Sequence, residues 1–346
     1  MTAATDAVGR FIEGVPKVEL HVHLVGSAAL PTVLTLAERA PHLGVPTDLD
    51  ALKRFYAFHD FPHFLDVYAA VNALVRTSDD VLTLIEGLTG DLLAQGVRYA
   101  EVTVTPWSHV DVGVPYPEVV EGLDEGRRRA AVRGLDLAWC FDIPAPLEPD
   151  DGAATARWAV EQPPEGLVSF GLGGAEAGVD RADFSDAFAR ARAAGLRSVP
   201  HAGESEAGGA ASVWAAVRHL GADRIGHGIR SVDDPALIAH LVDHGIPLEV
   251  CPISNVRTRV VPDLAAHPLP ELLHQGVTVC INTDDPPMFD TDLGMEYRAI
   301  AAAFDLGVDD LAGLVANGVR ASFMSEPAKA ALLAEIDCHR TDASAP

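Results

Sequence analysis

Short runs of apolar and β-branched residues alternate along the chain with longer segments in which apolar residues recur at helical spacing. The short runs predict eight strands: Val18–Leu24, Arg98–Thr105, Leu137–Ile143, Leu167–Leu172, Arg197–His201, Arg224–His227, Pro247–Cys251 and Val277–Asn282. The longer segments predict helices, among them Asp79–Ala94, Tyr116–Arg133, Phe184–Ala194, Ala210–Leu220 and Pro235–His244. Glycine follows several of these segments, as is typical of helix C-termini.

Regular alternation of strands and helices is typical of a parallel sheet. Eight such units favour a closed (β/α)8 TIM barrel. A doubly wound open sheet is disfavoured, because no G-x-G-x-x-G follows the first strand and no P-loop occurs. The segment Ala28–Thr77 is too long for one crossover helix, so we expect extra helices there that cover the barrel mouth. Since no linker, charge block or repeat divides residues 1–346, we predict a single domain.

The composition narrows the class of partner. The chain has 25 Lys and Arg residues against 50 Asp and Glu residues, a net charge of −25, and lacks the basic stripe that nucleic acid binding needs. Four cysteines without a C-x-x-C pair suit a reducing compartment and exclude a cysteine-cluster zinc site. Neither a signal peptide nor an apolar run of membrane-spanning length is evident. We therefore expect a cytoplasmic protein that binds neither nucleic acid nor membrane, of undetermined oligomeric state.

Residues able to bind a metal end four of the predicted strands. His21 and His23 share one face of the first strand, because strand side chains alternate between faces. His201 ends the fifth strand, His227 ends the sixth, and Asp284 follows the eighth. The carboxyl ends of barrel strands meet at one mouth, so we expect these side chains to converge. Three histidines and a carboxylate suit a catalytic zinc with water as the remaining ligand.

Six segments occur in order over nearly the whole chain: PKVELHVHLVGS, GVRYAEV, HAGE, RIGHG, CPISN and NTDDP. Together they resemble the adenosine and AMP deaminase branch of the metal-dependent hydrolases. The resemblance implies a barrel with one zinc ion per chain that hydrolyses the 6-amino group of a purine nucleoside or base. It further implies that the zinc ligands are His21, His23, His201 and Asp284.

The resemblance also implies roles for the residues around the metal. Glu204 would protonate the purine nitrogen N1, and His227 would orient or deprotonate the metal-bound water. Asp285 would hydrogen-bond N7, and the backbone of Gly174 would approach N3. The chemistry is reasonable in itself, because zinc lowers the pKa of bound water from 15.7 to about 7. Attack at C6 also requires N1 to accept electron density, which protonation by a buried carboxylic acid allows.

Two departures from the family pattern bear on the substrate. Val25 stands where adenosine-hydrolysing relatives usually have an acidic residue that contacts the ribose 5′-hydroxyl. Gly173-Gly174-Ala175-Glu176 stands where relatives commonly have Gly-Asp-Glu. Since valine cannot accept a hydrogen bond, we expect a nucleoside modified at C5′. Candidates are 6-aminodeoxyfutalosine of menaquinone biosynthesis, methylthioadenosine and S-adenosylhomocysteine, and adenosine itself remains an alternative.

The insertion between the first two strands carries aromatic and cationic residues that suit such a 5′ group. Phe58 and Phe61 would stack on an aryl substituent, and Arg54 would pair with its carboxylate. Arg76 is a further candidate for the carboxylate. An amphipathic lid helix with solvated cations explains the same residues without any ligand.

Other functions also remain open. One is a zinc hydrolase that cleaves an amide or phosphoester, although the fourth strand lacks the lysine or carboxylate with which such enzymes bridge two metals. Another is a nucleoside-binding protein without catalysis, which the complete set of acid, base and ligand residues disfavours. We expect Glu101 to be a buried hydrogen-bonding group below the mouth. We expect eight of the histidines outside the motifs to be structural or exposed: His59, His63, His109, His219, His240, His244, His267 and His274.

Overall fold

The computed structural model describes residues 3–147 and 149–344. Its strands are β1 Lys17–His23, β2 Val97–Val104, β3 Asp136–Ala145, β4 Leu167–Gly174, β5 Arg197–Ser198, β6 His201–Ala202, β7 Ile225–His227, β8 Leu248–Val250 and β9 Val279–Ile281. Neighbouring strands pair in parallel, in the orders β1-β2-β3-β4-β5 and β6-β7-β8-β9. The eight predicted strands are therefore present, with the fifth divided in two.

Backbone hydrogen bonds join the two sheets into a barrel. The break between β5 and β6 falls at Pro200, which has no N–H to donate to a neighbouring strand. Next to it, Val199 N–H donates to the Phe170 carbonyl of β4 at 2.9 Å, and the Pro200 carbonyl accepts from Gly226 N–H of β7 at 3.0 Å, so this segment bridges the two sheets. On the opposite side the first strand meets the last: His23 N–H donates to the Asp284 carbonyl at 3.0 Å, and Asp284 N–H donates to the His21 carbonyl at 2.9 Å. These contacts give the predicted (β/α)8 architecture.

Helices surround the strands, and their bounds are α1 Ala3–Gly14, α2 Leu30–Arg39, α3 Leu49–Phe55, α4 Phe61–Asn72, α5 Ser78–Ala94, α6 Pro106–Asp111, α7 Tyr116–Val132, α8 Pro149–Glu161, α9 Ser185–Ala193, α10 Gly209–Ala215, α11 Pro235–His244, α12 Pro252–Arg257, α13 Leu269–His274, α14 Pro286–Phe289, α15 Leu293–Phe304, α16 Val308–Ala321 and α17 Glu326–Ser344. A π-helical turn, Ala216–Leu220, extends α10. Short 3-10 turns lie at Pro41–Leu43, Arg181–Phe184, Ile229–Asp233 and Leu264–Ala266. Within the described ranges, the chain has no helix that is both long and apolar enough to cross a bilayer.

The insertion after β1 forms α2, α3 and α4. Aspartate caps fix where two of these helices begin: Asp48 accepts from Ala51 N–H, and Asp60 accepts from His63 N–H, both at 2.9 Å. Residues of α4 line the cavity at the carboxyl ends of the strands. The prediction that extra helices cover the barrel mouth is therefore confirmed.

A continuous hydrophobic core includes side chains from Phe11 in α1 to Ile336 in α17. It is consistent with the predicted single domain. Most strand side chains are buried, and they include charged residues that have no access to bulk water. Those residues are Lys17, Glu19, Glu101, Asp142 and Glu249.

Candidate active site

The structure brings the four predicted metal ligands together at the carboxyl ends of the strands. His21 Nε2 lies 3.5 Å from Asp284 Oδ1, and His23 Nε2 lies 3.2 Å from the same oxygen. The Nε2 atoms of His23 and His201 are 3.2 Å apart. Alternation along β1 places both of its histidines on the side of the site, as the sequence predicted.

Two residues of the site adopt left-handed backbone conformations that non-glycine residues rarely take. The φ angle of His227 is 59°, and that of Asp284 is 67°. Such conformations cost on the order of 1–3 kcal/mol each and are concentrated at functional sites. The chain therefore turns at Asp284, where two backbone hydrogen bonds to β1 hold it.

The donor set fits a divalent cation. His21 Nδ1 lies 3.0 Å from Glu249 Oε2, while its Nε2 is buried, points into the site and has no hydrogen-bond partner. Burial lowers the pKa of His21, but the nearby Asp284 carboxylate and the hydrogen bond to Glu249 outweigh burial and raise the pKa to about 10. An environment that attracts a proton this strongly also attracts a metal ion that displaces the proton. Nitrogen and carboxylate donors in this combination are typical of zinc.

Glu204 follows β6 and faces the same space. Its Oε2 lies 3.8 Å from His227 Nε2, and only 13% of its side chain is exposed. Burial, with the nearby carboxylates of Asp284 and Glu176, raises the pKa of Glu204 to about 8. The side chain is therefore protonated at neutral pH and able to donate a proton, as the predicted role requires.

A second glutamate fixes the loop that carries Glu204. The Glu176 carboxylate accepts hydrogen bonds from the backbone N–H groups of Gly203 at 2.7 Å and Ser205 at 2.8 Å. It also accepts from the Ser212 hydroxyl at 2.9 Å. The residue that precedes Glu204 and the residue that follows it are thus both tied to one buried carboxylate.

Asp285 lies over Gly26, and this contact explains the glycine after the histidine pair. A Cβ on Gly26 would lie 1.4 Å from Asp285 Oδ1, which is a severe overlap. The glycine is therefore needed for space. Burial and the neighbouring carboxylate of Asp284 raise the pKa of Asp285 to about 8. A protonated Asp285 can donate to an acceptor such as a purine N7.

Gly174 lines the cavity at the end of β4. Its φ angle is +83°, and a Cβ there would lie 2.3 Å from the carbonyl oxygen of Ala145. No side chain is tolerated at this position, so a ligand can approach the backbone directly.

A buried charge network supports His21 from below. Arg224 lies between two carboxylates, with Nε 2.5 Å from Glu249 Oε1 and Nη2 2.5 Å from Glu101 Oε2. Glu101 also accepts from Tyr99 Oη at 2.9 Å. The expectation that Glu101 is a buried hydrogen-bonding group is confirmed. The sequence did not lead us to predict roles for Glu249 and Arg224. A charged residue within an otherwise apolar predicted strand was the signal that could have identified each of them.

Three further polar residues near the site were not predicted to act there. The Ser254 hydroxyl donates to Asp284 Oδ2 at 2.6 Å. Asn255 Nδ2 lies 3.2 Å from His227 Nδ1. Asp142 in β3 faces the cavity and accepts from the Thr105 hydroxyl at 2.6 Å. The motif Ser254-Asn255 was noted in the sequence, but its partners are far away along the chain.

The cavity above these residues has a volume of about 340 Å³. On the barrel side it is bounded by the predicted catalytic residues, and on the helix side by α4, α6 and the residues after α6. The helix side is largely apolar and aromatic, with contributions from Phe64, Leu65, Tyr68, Trp107 and Val112. None of the described residues that line the cavity is a lysine or an arginine.

The residues predicted to contact a 5′ group lie elsewhere. Val25 is buried in the hydrophobic core, and Arg54 is exposed on α3. Phe58 packs edge-on against Phe64 and Phe289 and borders a different surface cavity. Phe61 begins α4, and its side chain lies outside the described residues. The active-site cavity is therefore not lined by Val25, Arg54 or Phe58.

Arg76, the other cation considered, lies nearer to the cavity. One guanidinium nitrogen, Nη2, is 3.8 Å from the position that a Cβ on Gly113 would take. Gly113 directly follows Val112, which lines the cavity. Arg76 is exposed and lies beside this rim, although it does not itself line the cavity.

Comparisons with known proteins agree with this geometry. The chain matches the model of the adenosine deaminase family over residues 16–339. It is similar to the aminodeoxyfutalosine deaminase of Streptomyces avermitilis, with 49% identity over 332 residues, 95% of this chain and 92% of the relative.

Two solved structures have the same fold. The adenine deaminase from Arthrobacter aurescens has a TM-score of 0.89 and 33% identity, covering 94% of this chain and 98% of that chain. An amidohydrolase from Burkholderia ambifaria, solved with bound zinc, has a TM-score of 0.89 and 27% identity, covering 100% of this chain and 96% of that chain.

Proposed function

The chain belongs to the adenosine deaminase family, and from this premise we propose that it hydrolyses the 6-amino group of a 5′-modified purine nucleoside of the aminodeoxyfutalosine type. It is a hydrolytic deaminase that acts on a small molecule. The observation that carries the substrate class is the 49% identity to an aminodeoxyfutalosine deaminase over nearly the whole of both chains. The apolar and aromatic helix side of the cavity suits an aryl substituent.

We assign one zinc ion to His21, His23, His201 and Asp284. The convergence of their donor atoms and the buried, unpartnered His21 Nε2 support this assignment. When bound, the ion would lower the pKa of a water molecule and so supply a nucleophile at neutral pH. Glu249 would hold His21 with its Nε2 lone pair toward the ion.

The remaining residues act on the purine. Glu204 donates a proton to N1, which allows C6 to accept the water oxygen. Asp285 donates to N7, and the backbone at Gly174 faces N3. The C6–O bond forms and the C6–N bond breaks. Over one cycle, one proton of water leaves with ammonia and the other returns to Glu204.

The 5′ substituent would occupy the side of the cavity formed by α4 and α6. Tyr68 and Trp107 offer aromatic surfaces there for an aryl group. Its carboxylate would extend to the rim, where Arg76 is within reach. The free cysteines, three of them buried, suit the cytoplasmic location that we propose.

A second candidate function is deamination of the free base adenine. It is favoured by the structural similarity to the Arthrobacter aurescens adenine deaminase at 33% identity. The cavity volume disfavours it, because about 340 Å³ lies in the range that encloses drug-sized ligands and leaves much of the space beside a lone purine empty.

A substrate panel tests the proposal. Ammonia release is measured with aminodeoxyfutalosine, methylthioadenosine, adenosine and adenine under identical conditions, and kcat/KM is compared. We expect aminodeoxyfutalosine to exceed adenosine and adenine by at least about 100-fold, the difference that about 2.7 kcal/mol of transition-state binding produces. A preference for adenine or adenosine would overturn the proposed substrate class and leave the deaminase chemistry intact.

A further inference from the structure

The hydrogen-bond partners of His227 determine which of its ring nitrogens carries the proton. A neutral imidazole has one N–H donor and one lone-pair acceptor, and the two tautomers present opposite groups to a substrate. His227 Nε2 faces Glu204 and Asp284 in the site, at 3.8 Å and 3.9 Å. His227 Nδ1 faces away from the site, toward Asn255 at 3.2 Å.

The chain of hydrogen bonds starts at a group with only one possible role. The backbone N–H of Leu269 can only donate, and it lies 3.0 Å from His267 Nδ1. His267 Nδ1 is therefore an acceptor, and in the neutral ring the proton is on Nε2. Burial lowers the pKa of His267 to about 4, which keeps the ring neutral at physiological pH.

The next two steps follow from the first. His267 Nε2–H faces Asn255 at 3.1 Å, so the Asn255 atom on that side must be the carbonyl oxygen. The Asn255 NH2 group then points to His227 and donates to Nδ1. The opposite amide orientation would place NH2 against the His267 N–H, donor against donor. All three side chains are at most 3% exposed, so bulk water offers no competing partner.

We infer that Asn255 and His267 are positioning residues that hold His227 in the tautomer with its proton on Nε2, so that His227 donates a hydrogen bond into the active site. His227 therefore orients the attacking oxygen through its N–H and does not remove a proton from it, because Nε2 is already protonated. Of the two roles that the sequence left open for His227, the structure favours orientation. The catalytic consequence rests on the proposed deaminase function, whereas the tautomer itself does not.

Substitution of Asn255 by aspartate inverts the final hydrogen bond at nearly constant shape. A carboxylate has no N–H, so the group facing His227 would accept, and the His227 proton would move to Nδ1. The lone pair of Nε2 would then face the site. We expect kcat of Asn255→Asp to fall by roughly 10²–10⁴-fold, the range associated with a misplaced catalytic proton. KM is expected to change little, because the contacts of Glu204 and Asp285 with the purine remain.

Asn317→Asp is the matched control. Asn317 lies on α16 outside the active-site cavity, and its Nδ2 donates to the Val279 carbonyl at 3.2 Å. This variant makes the same chemical change in a partly buried amide and should retain wild-type kcat. Metal content is measured in both variants, and equal zinc loading excludes loss of the ion as the cause of lower activity.

Nitrogen-15 NMR of histidine-labelled protein reads the tautomer directly, without turnover. The His227 signals are identified by their loss in His227→Asn. We expect a protonated Nε2 in the wild type and a protonated Nδ1 in Asn255→Asp. A protonated Nδ1 in the wild type would overturn the inference, whether or not Asn255→Asp folds and whether or not the enzyme deaminates nucleosides. Two results with Asn255→Asp would also overturn the inference. One is a tautomer of His227 that is unchanged from the wild type, and the other is a wild-type kcat although the His227 proton has moved to Nδ1.

Discussion

Arg224→Met tests whether the buried network beneath the metal site stabilises the fold. Methionine preserves most of the side-chain length but removes the guanidinium that pairs with the carboxylates of both Glu249 and Glu101. It also removes a hydrogen bond to the Ala321 carbonyl at 2.8 Å and the guanidinium stacked 4.0 Å from the centre of the Phe323 ring.

The expected loss is large because both carboxylates are at most 1% exposed. Removing one partner from a buried ion pair costs about 3–5 kcal/mol, since the remaining charge is buried without compensation. Typical unfolding free energies are about 5–15 kcal/mol, so the variant loses a substantial part of its stability. Glu249 would also hold His21 less firmly, and loss of such support typically weakens metal binding by about 10–100-fold.

The assay is urea unfolding of the metal-free and zinc-loaded protein, with zinc affinity measured by competition against a chelator. Arg197→Met is the matched control, because Arg197 is exposed, pairs with Asp223 at 3.1 Å and lies 5.8 Å from the same Phe323 ring. It should change the unfolding free energy by only about 0–1 kcal/mol. An Arg224→Met protein within about 1 kcal/mol of wild type, with unchanged zinc affinity, would refute the reasoning.

Three further predictions concern activity. Gly26→Ala should lower kcat/KM by at least about 100-fold, because the added methyl group displaces the Asp285 carboxyl that is proposed to bind N7. Gly313→Ala, where the added methyl group meets open space, should leave kcat/KM unchanged, and unchanged kinetics of Gly26→Ala would contradict the close contact. kcat/KM should fall as pH rises through about 8, because Glu204 loses the proton that it donates, and a profile still rising to pH 10 would argue against that role. Arg76→Met should raise KM for aminodeoxyfutalosine but not for methylthioadenosine, which has no carboxylate at its 5′ substituent, whereas Arg54→Met should change neither KM. Equal effects of Arg76→Met on the two KM values would exclude pairing of Arg76 with the substrate carboxylate.

The features of the site that the sequence predicts well follow from the geometry of a parallel barrel. His23, His201 and Asp284 are far apart in the chain, yet each ends or follows a predicted strand, and the carboxyl ends of parallel barrel strands meet. Local pattern and strand order were therefore sufficient to bring the metal ligands to one mouth. The role of Glu204 was instead implied by the family motif HAGE, in which it follows His201 by three residues.

The parts that sequence did not predict depend on packing between distant segments. Val25 follows the histidine pair by two residues, but its side chain turns into the core. Phe58 was assigned to the ligand because it is aromatic and in the insertion, and it instead packs on Phe289. Arg224 reaches Glu101 across 123 positions of the chain, and no local pattern encodes that partner. The bond between Asn255 and His227 is likewise visible only in three dimensions.

The most direct test of the central claim is ammonia release from aminodeoxyfutalosine by wild type, Glu204→Gln and Glu206→Gln. Glutamine keeps the shape of the Glu204 side chain but cannot supply a carboxylic acid proton to N1. Glu206, exposed two residues further on, provides the matched control. We expect ammonia release at equal rates by wild type and Glu206→Gln, and a rate at least about 100-fold lower in zinc-loaded Glu204→Gln. Turnover by Glu204→Gln at the wild-type rate would contradict the proposed role of Glu204 as the proton donor.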